Sequence, residues 1–228
     1  METHFVSLCI LAYKRPDKLM ACLDSLHETI DYPCEIIVNV DGEDNQDQQS
    51  SQVAHEYFRQ KKISKLITIG GENRGVGRSF QNCLGLAEGD LLFKIDTDLT
   101  FEKGWLSRAV QILTDNTDIG TLSLFNYNHY DPNDERFKIL SERPDCYIVN
   151  DFVSSIFGFR RSDLLWCSLA DDPIPDDGLH QQIGGKLAIT KEDLVKNSGF
   201  GRNSTYVSFD ENDKPFKTKT HDSPLIFS

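Results

Sequence analysis

Two aspartates separated by one residue, Asp96 and Asp98, end an apolar run in the segment LFKIDTDLT. The run has the composition of a buried strand, and alternate residues of a strand point to the same side. Both carboxylates are therefore expected on one side of the chain, where they would face a cationic ligand. The alternative interpretation of the same residues is a solvated acidic turn.

The composition predicts one soluble globular domain. The 228 residues are 39% hydrophobic and 26% charged, which is enough to bury a sizeable core. With 24 Lys and Arg against 36 Asp and Glu the net charge is −12, which disfavours binding to nucleic-acid phosphates or to anionic lipid. No apolar run approaches the roughly 18 residues of a membrane span, and Met1–His4 lacks the basic start of a signal peptide. We therefore expect a cytoplasmic protein without a membrane span.

The cysteines occur singly, without a Cys-x-x-Cys pair or the cysteine and histidine spacing of a zinc site. Since nothing in the sequence indicates export, they are predicted to be reduced and mostly buried. They are Cys9, Cys22, Cys34, Cys83, Cys146 and Cys167.

The first hundred residues alternate between strand and helix patterns. Predicted strands cover 5–12, 35–40, 66–69 and 91–96. The first predicted helix starts at Arg15-Pro16, and its apolar stripe consists of Leu19, Met20, Leu23 and Leu26. Such alternation predicts a parallel sheet covered by helices on both faces. Ligands of such sheets bind beyond the carboxyl ends of the strands, the edge where Asp41 and the Asp96/Asp98 pair are expected.

The second half has a less regular pattern. A helix over 105–113 and a strand over 120–127 are followed by shorter strands at 146–153 and 156–159, and then by an apparent helix that reaches Leu187. No repeat, low-complexity tract or linker divides the chain. We expect a single domain over 1–228, whose second half shapes the substrate side.

Three stretches together resemble the family 2 glycosyltransferases of the GT-A fold. They are VSLCILAYKRPDKLMACLDSL, EIIVNVDG and NRGVGRSFQNCLGLAEGDLLFKIDTD. The resemblance is good over residues 5–105 and thin beyond. It implies one Rossmann-like α/β domain with a mainly parallel central sheet and helices on both faces. Residues 1–105 would form the nucleotide-sugar-binding half, and residues 106–228 a smaller acceptor half with a C-terminal tail.

The resemblance implies a metal-dependent, inverting glycosyltransferase that moves a sugar from a nucleoside-diphosphate sugar, expected to be a UDP-sugar, to an acceptor hydroxyl. Asp98 would bind the metal directly, while Asp96 would contact the ribose or reach the metal through water. The chemistry supports such a pair independently, because a divalent ion neutralises the charge that develops on a departing diphosphate. Carboxylate oxygens suit Mn²⁺ or Mg²⁺.

The donor-binding residues that the resemblance implies lie in four stretches, each following a predicted strand. Asp41 matches an acidic residue that contacts the nucleobase in the family. The family often has an Arg where this chain has Phe80, so Arg78 could substitute for it or the contact could be absent. The full set is Ala12, Tyr13, Arg15, Asp41, Asn73, Gly75, Arg78, Asp96, Thr97 and Asp98.

The catalytic base is expected in the second half, in the segment DDGLH. By resemblance Asp177, or Asp176 in its place, accepts the proton of the acceptor hydroxyl; a charged surface loop is the alternative. Some relatives ligate the metal with a His where this chain has Tyr206. The remaining candidate ligand is His221, in a tail that could close over the donor.

Other functions fit parts of the pattern. The segment Asp96–Thr100 also matches the D-x-D-x-T motif of haloacid-dehalogenase-type phosphatases, although that motif normally follows the first strand of its fold. A nucleotidyltransferase would require a Gly-rich loop after the first strand, which is absent from residues 12–16. A sugar-nucleotide-binding protein without catalysis is a further alternative. The expected acceptor is a glycan, a protein or a small molecule, and the net charge disfavours a nucleic acid.

Overall fold

The computed structural model describes residues 4–43, 49–125, 135–152, 155–164 and 183–197, and the short strands 207–209 and 215–217. Its helices are α1 (Pro16–Thr29), α2 (Gln49–Arg59), α3 (Val76–Leu86) and α4 (Trp105–Asp115). Its strands are β1 (Val6–Ala12), β2 (Cys34–Glu43), β3 (Lys65–Gly70), β4 (Leu91–Asp96), β5 (Leu99–Phe101), β6 (Ile119–Ser123), β7 (Ile139–Glu142), β8 (Cys146–Val149), β9 (Ile156–Arg160), β10 (Lys186–Thr190), β11 (Val195–Asn197), β12 (Val207–Phe209) and β13 (Pro215–Lys217).

A mixed sheet organises the described part of the chain. Nine of the described strands form it, in the order β3-β2-β1-β4-β9-β6-β10-β8-β7. The pairs among β3, β2, β1 and β4 are parallel, whereas β9 runs antiparallel to both β4 and β6. Because only β9 and β8 oppose the common direction in this part of the chain, the sheet is mostly parallel, as predicted.

Helices cover both faces of the sheet. The ring of Phe93, on β4, meets Trp105 of α4 edge-on, with ring centroids 6.0 Å apart. Its neighbour Lys94 pairs in register with Phe157 of β9, whose ring meets Phe80 of α3. Since adjacent strand residues point to opposite faces, α3 and α4 lie on opposite sides. The predicted arrangement of helices on both faces is confirmed.

Gly158 allows the two halves of the sheet to join. It lies on β9 opposite Phe93, and a Cβ atom there would lie 2.2 Å from Cε1 of that ring. Only a residue without a side chain leaves room for the phenyl ring at the β4–β9 seam.

Most predicted elements of the first half are confirmed. The strands predicted over 120–127 and 146–153 end earlier, at Ser123 and Val149. Two further predictions are wrong. Met20 is exposed and does not belong to the buried stripe of α1, whose buried members are Leu19, Cys22, Leu23 and Leu26. The predicted helix reaching Leu187 is wrong at its end, because residues 186–190 form β10 between β6 and β8. The short apolar run there is stabilised as a strand by pairing on both sides, which local periodicity does not reveal.

The five cysteines within the described residues carry free thiols, and all but Cys34 are buried, as predicted. Cys167 lies outside the described residues. Among the described residues, no helix is long and apolar enough to cross a membrane.

Candidate functional site

The carboxyl ends of β1, β2 and β4 bring three loops to one edge of the sheet. β1 is the middle strand, paired in parallel with β2 on one side and with β4 on the other. Ala12 ends β1 opposite Val40, and Leu11 pairs with Asp96. The side chains that follow these strands are therefore neighbours in space, although they are far apart in sequence.

The loop after β1 has a strained backbone. Lys14 and Arg15 have φ angles of 52° and 56°, in the left-handed region that costs a non-glycine residue about 1–2 kcal/mol. Pro16 then starts α1, and Ser50 Oγ of α2 donates a hydrogen bond of 2.8 Å to the carbonyl oxygen of Lys14. Such strain is typical of functional loops and here directs Arg15 Nη2 to within 3.5 Å of Asp98 Oδ2. Tyr13, in the same loop, is exposed, and Lys14 Nζ lies 5.3 Å from its ring centroid.

The two aspartates of the Asp-x-Asp motif lie at this edge. Asp96 is the last residue of β4, and its backbone N–H donates to the carbonyl oxygen of Ser155 at 3.0 Å. Its Oδ1 lies 2.5 Å from Nζ of Lys94, a buried residue that the sequence reasoning missed. A signal was present, because a lysine two residues before an aspartate on a strand points to the same side. Asp98 is 5% exposed, in the turn between β4 and β5.

The negative charge of this edge acts on the thiol behind it. Cys22 of α1 is fully buried, and its Sγ lies 4.0 Å from the carbonyl oxygen of Asp96. Burial, and next the charges of Asp98 and Asp96, raise the pKa of the Cys22 thiol far above its ordinary value. The thiol is therefore protonated and serves as a packing group beneath the site.

Asp41 connects the end of β2 to the loop before α3. It is 3% exposed, and its Oδ2 accepts hydrogen bonds from the backbone N–H of Arg74 at 2.8 Å and from Ser79 Oγ at 3.2 Å. Its Oδ1 is buried and accepts no hydrogen bond from the described residues. A buried acceptor without a donor is costly, and this oxygen is suited to an N–H group of a ligand.

The loop over residues 73–78 is shaped by its own polar groups. Asn73 Oδ1 accepts the N–H of Gly75 at 2.8 Å, and Gly75 adopts a φ of 87°. Arg78 is half-buried in the first turn of α3. Phe80 is core, 1% exposed, with its ring against Phe157 and Phe159, so no cation stands where relatives often have an Arg.

The described residues bring the predicted donor-binding set to one edge. Ala12 and Thr97 are buried there, Tyr13 and Arg15 line the first loop, and Asp41 bonds to the loop that carries Asn73, Gly75 and Arg78. Asp176, Asp177, Tyr206 and His221 lie outside the described residues. Of the C-terminal tail, the structure describes only the antiparallel pair β12–β13.

The carboxylate oxygens at this edge could provide some, but not all, of the ligands of a hard divalent ion. Within the described residues no group of three or more His, Cys, Asp or Glu that could hold a metal ion is gathered, and Asp96 and Asp98 are the predicted metal ligands among these residues. Two carboxylates leave coordination positions for phosphate oxygens, as Mg²⁺ and Mn²⁺ sites on nucleotides require. Both carboxylates also lie close to a cation of the chain, Lys94 or Arg15.

Comparison with known proteins shows a family and a fold that this chain shares. The family model described as Glycosyl transferase family 2 matches residues 7–167. A putative glycosyltransferase, EpsH of Bacillus subtilis (strain 168), is 31% identical over 120 residues, which are 52% of this chain and 33% of that protein. The chain thus spans about a third of the length of the curated relative it matches.

Two solved structures share the fold at low sequence identity. The mannosyltransferase PcManGT from Pyrobaculum calidifontis, in complex with GDP-Man and Mn²⁺, superposes with a TM-score of 0.58 at 17% identity, over 83% of this chain and 57% of that one. The 1-349 segment of S. aureus TarS, in complex with UDP-GlcNAc, superposes with a TM-score of 0.61 at 18% identity, over 84% of this chain and 57% of that one. These similarities confirm the predicted GT-A fold.

The close approach of β2 to the loop before α3 can be tested at Gly42. This residue has a φ of +67°, and a Cβ atom there would lie 2.7 Å from Cα of Asn73. Gly42→Ala is expected to lower the free energy of unfolding by about 2 kcal/mol or more, because strain and a backbone clash add. Chemical denaturation of wild type and variant measures this difference in the free energy of unfolding.

Gly71 provides the matched control, because it has a φ of +95° but no surrounding atom within 4 Å of the place that a Cβ would occupy. Gly71→Ala is expected to cost only the backbone term of about 1 kcal/mol. Equal losses in the two variants would show that the loop does not dock on β2 as described.

Proposed function

The chain belongs to glycosyl transferase family 2, and we propose that it transfers a sugar from a nucleoside-diphosphate sugar to an acceptor hydroxyl. The observation that supports this most is the convergence of Asp41, Arg15 and the Asp96/Asp98 pair at the carboxyl edge of β1, β2 and β4. Ligands of doubly wound sheets bind at this edge. The presence of GDP-Man and UDP-GlcNAc in the two related structures supports a donor of the same class.

In this proposal each loop contacts a different part of the donor. Asp41 Oδ1 accepts an N–H of the nucleobase, which uracil supplies at N3 and guanine at N1, and UDP is the first choice by resemblance to the family. Arg15 and the loop over 73–78 supply a guanidinium group and backbone N–H groups to the diphosphate. Asp96 accepts hydrogen bonds from the ribose hydroxyls.

The proposal includes a divalent ion, Mn²⁺ or Mg²⁺. Asp98 would hold it directly, Asp96 would reach it through water, and His221 of the tail would complete the set. When bound, it would neutralise the charge on the leaving diphosphate. The Mn²⁺ bound with GDP-Man in the mannosyltransferase structure supports this choice.

Catalysis in the proposal requires a carboxylate on the acceptor side, for which Asp177 is the first candidate and Asp176 the second. The carboxylate takes the proton of the acceptor hydroxyl as that oxygen bonds to the anomeric carbon. The bond from the anomeric carbon to the diphosphate oxygen breaks on the opposite face, so the configuration inverts. A glycan, a protein or a small molecule is the proposed acceptor.

Binding of the donor nucleotide tests the site. UDP and GDP are titrated by calorimetry with Mn²⁺, with Mg²⁺ and with EDTA. Wild type is expected to bind one of them only with metal, and Asp98→Ala is expected to lose this binding, because the ion loses its main anionic ligand. Asp90→Ala, at the opposite edge of the sheet, should bind as wild type does. Absence of nucleotide binding, together with hydrolysis of a phosphomonoester, would favour the phosphatase alternative.

Turnover tests the proposed base separately from the donor site. Asp177→Asn is expected to keep nucleotide affinity and to lower the rate of sugar transfer by roughly 100-fold or more, because the amide accepts no proton. Transfer is measured with the donor sugar that stabilises the protein best. Wild-type rates in both Asp177→Asn and Asp176→Asn would exclude both residues as the base.

A further inference from the structure

Lys94 is a buried cation inside the central sheet. It lies in β4, and its side chain is 3% exposed. Removing an ammonium group from water is unfavourable unless a carboxylate lies close to it. Here Nζ lies 2.5 Å from Oδ1 of Asp96, so this carboxylate compensates the charge of the lysine.

Apolar side chains flank Lys94 in the sheet. Its partners in register are Cys9 on β1 and Phe157 on β9, both fully buried. Phe80 of α3 packs against Phe157 on the same face. Water therefore screens the attraction between Lys94 and Asp96 little, and the charged pair restrains the rotamer of Asp96.

Asp96 itself spans the boundary between the core and the edge. Its backbone N–H is bonded to the carbonyl oxygen of Ser155, and its side chain is 23% exposed. One carboxylate oxygen is thus directed toward Lys94 in the interior, while the group still reaches the surface of the candidate donor site.

We propose that Lys94 is a positioning residue for the donor ribose. By fixing Oδ1 of Asp96, the ammonium group orients the carboxylate so that its other oxygen accepts hydrogen bonds from the ribose hydroxyls. The proposal rests on the proposed function, and it assigns to Lys94 no contact with the donor. Preorganisation of this kind raises affinity because the carboxylate needs no reordering when the nucleotide binds.

A purely structural role predicts a different behaviour. Removing one partner of a buried ion pair destabilises a protein because the other charge is left uncompensated, but the loss is smaller where the remaining charge reaches water. Asp96 is partly exposed and meets that condition. Lys94→Met should therefore lower the melting temperature, and a purely structural role would produce no further effect. The positioning role predicts that the variant also releases Asp96 and impairs recognition of the ribose.

The experiment compares a nucleotide with its 2′,3′-dideoxy analogue. UDP or GDP, whichever binds wild type more tightly, is titrated with Mn²⁺ beside the analogue that lacks both ribose hydroxyls. Wild type is expected to prefer the ribonucleotide by about 10-fold, the worth of one hydrogen bond to a charged group. Lys94→Met should bring the preference close to 1, and Asp96→Asn should do the same. Lys94→Gln, also without the charge, is measured in parallel in case Lys94→Met does not fold.

Lys65→Met is the matched control. Lys65 Nζ lies 2.8 Å from Oε2 of Glu35, another largely buried carboxylate, but both residues lie at the start of their strands and so at the opposite edge of the sheet. This variant should keep the wild-type preference even if it melts earlier.

Three results would overturn the inference. A full ribose preference in both Lys94 variants would show that Asp96 needs no positioning. Equal affinity of wild type for the nucleotide and for its dideoxy analogue would show that Asp96 does not bind the ribose hydroxyls, while the proposed donor site would still stand. Absence of UDP and GDP binding to wild type would refute the proposed function itself, and the inference with it.

Discussion

The parallel pairing of β1 with β2 and with β4 is the constraint on which the candidate site depends. Both flanking strands run in the direction of β1, so the residues that follow all three are delivered to one edge. β1 is buried along its whole length, which leaves its register little freedom to slip. Gly158 and β9 then fix the second half of the sheet against β4. The pairing of buried strands thus places the residues of the candidate site next to one another.

At the carboxyl edge of the sheet, each carboxylate of the Asp-x-Asp motif is paired with a cation of the chain. In a protein of net charge −12, the two carboxylates of the motif each lie beside a cation, Lys94 for Asp96 and Arg15 for Asp98. The two cations differ in burial, since the side chain of Lys94 is 3% exposed and that of Arg15 23%. Lys94 is therefore suited to a permanent role in orienting its partner. Arg15, on a strained loop, is placed to interact with an anionic ligand.

Much of this arrangement could be predicted from local sequence. The apolar runs before Ala12, Asp41 and Asp96 predicted the strands, and the order of three motifs predicted the fold. Lys94 was missed because its spacing indicates that it shares a side with Asp96 but does not indicate that its side chain is buried. The strand at 186–190 was missed because its stability comes from pairing with β6 and β8, which are distant in sequence. Met20 shows the reverse of the error made at Lys94, because apolar periodicity assigned its side chain to the core and the side chain is exposed.

The loops at the ends of four strands, β1, β2, β3 and β4, are proposed to bind one nucleotide together. Amide hydrogen exchange, measured with and without nucleoside diphosphate and Mn²⁺, tests it most directly, because each loop is read separately. We expect simultaneous protection of residues 12–15, 41–42, 73–78 and 96–98, with no change at the start of β2 and β3. Protection confined to one loop, or found only at the opposite edge, would contradict it.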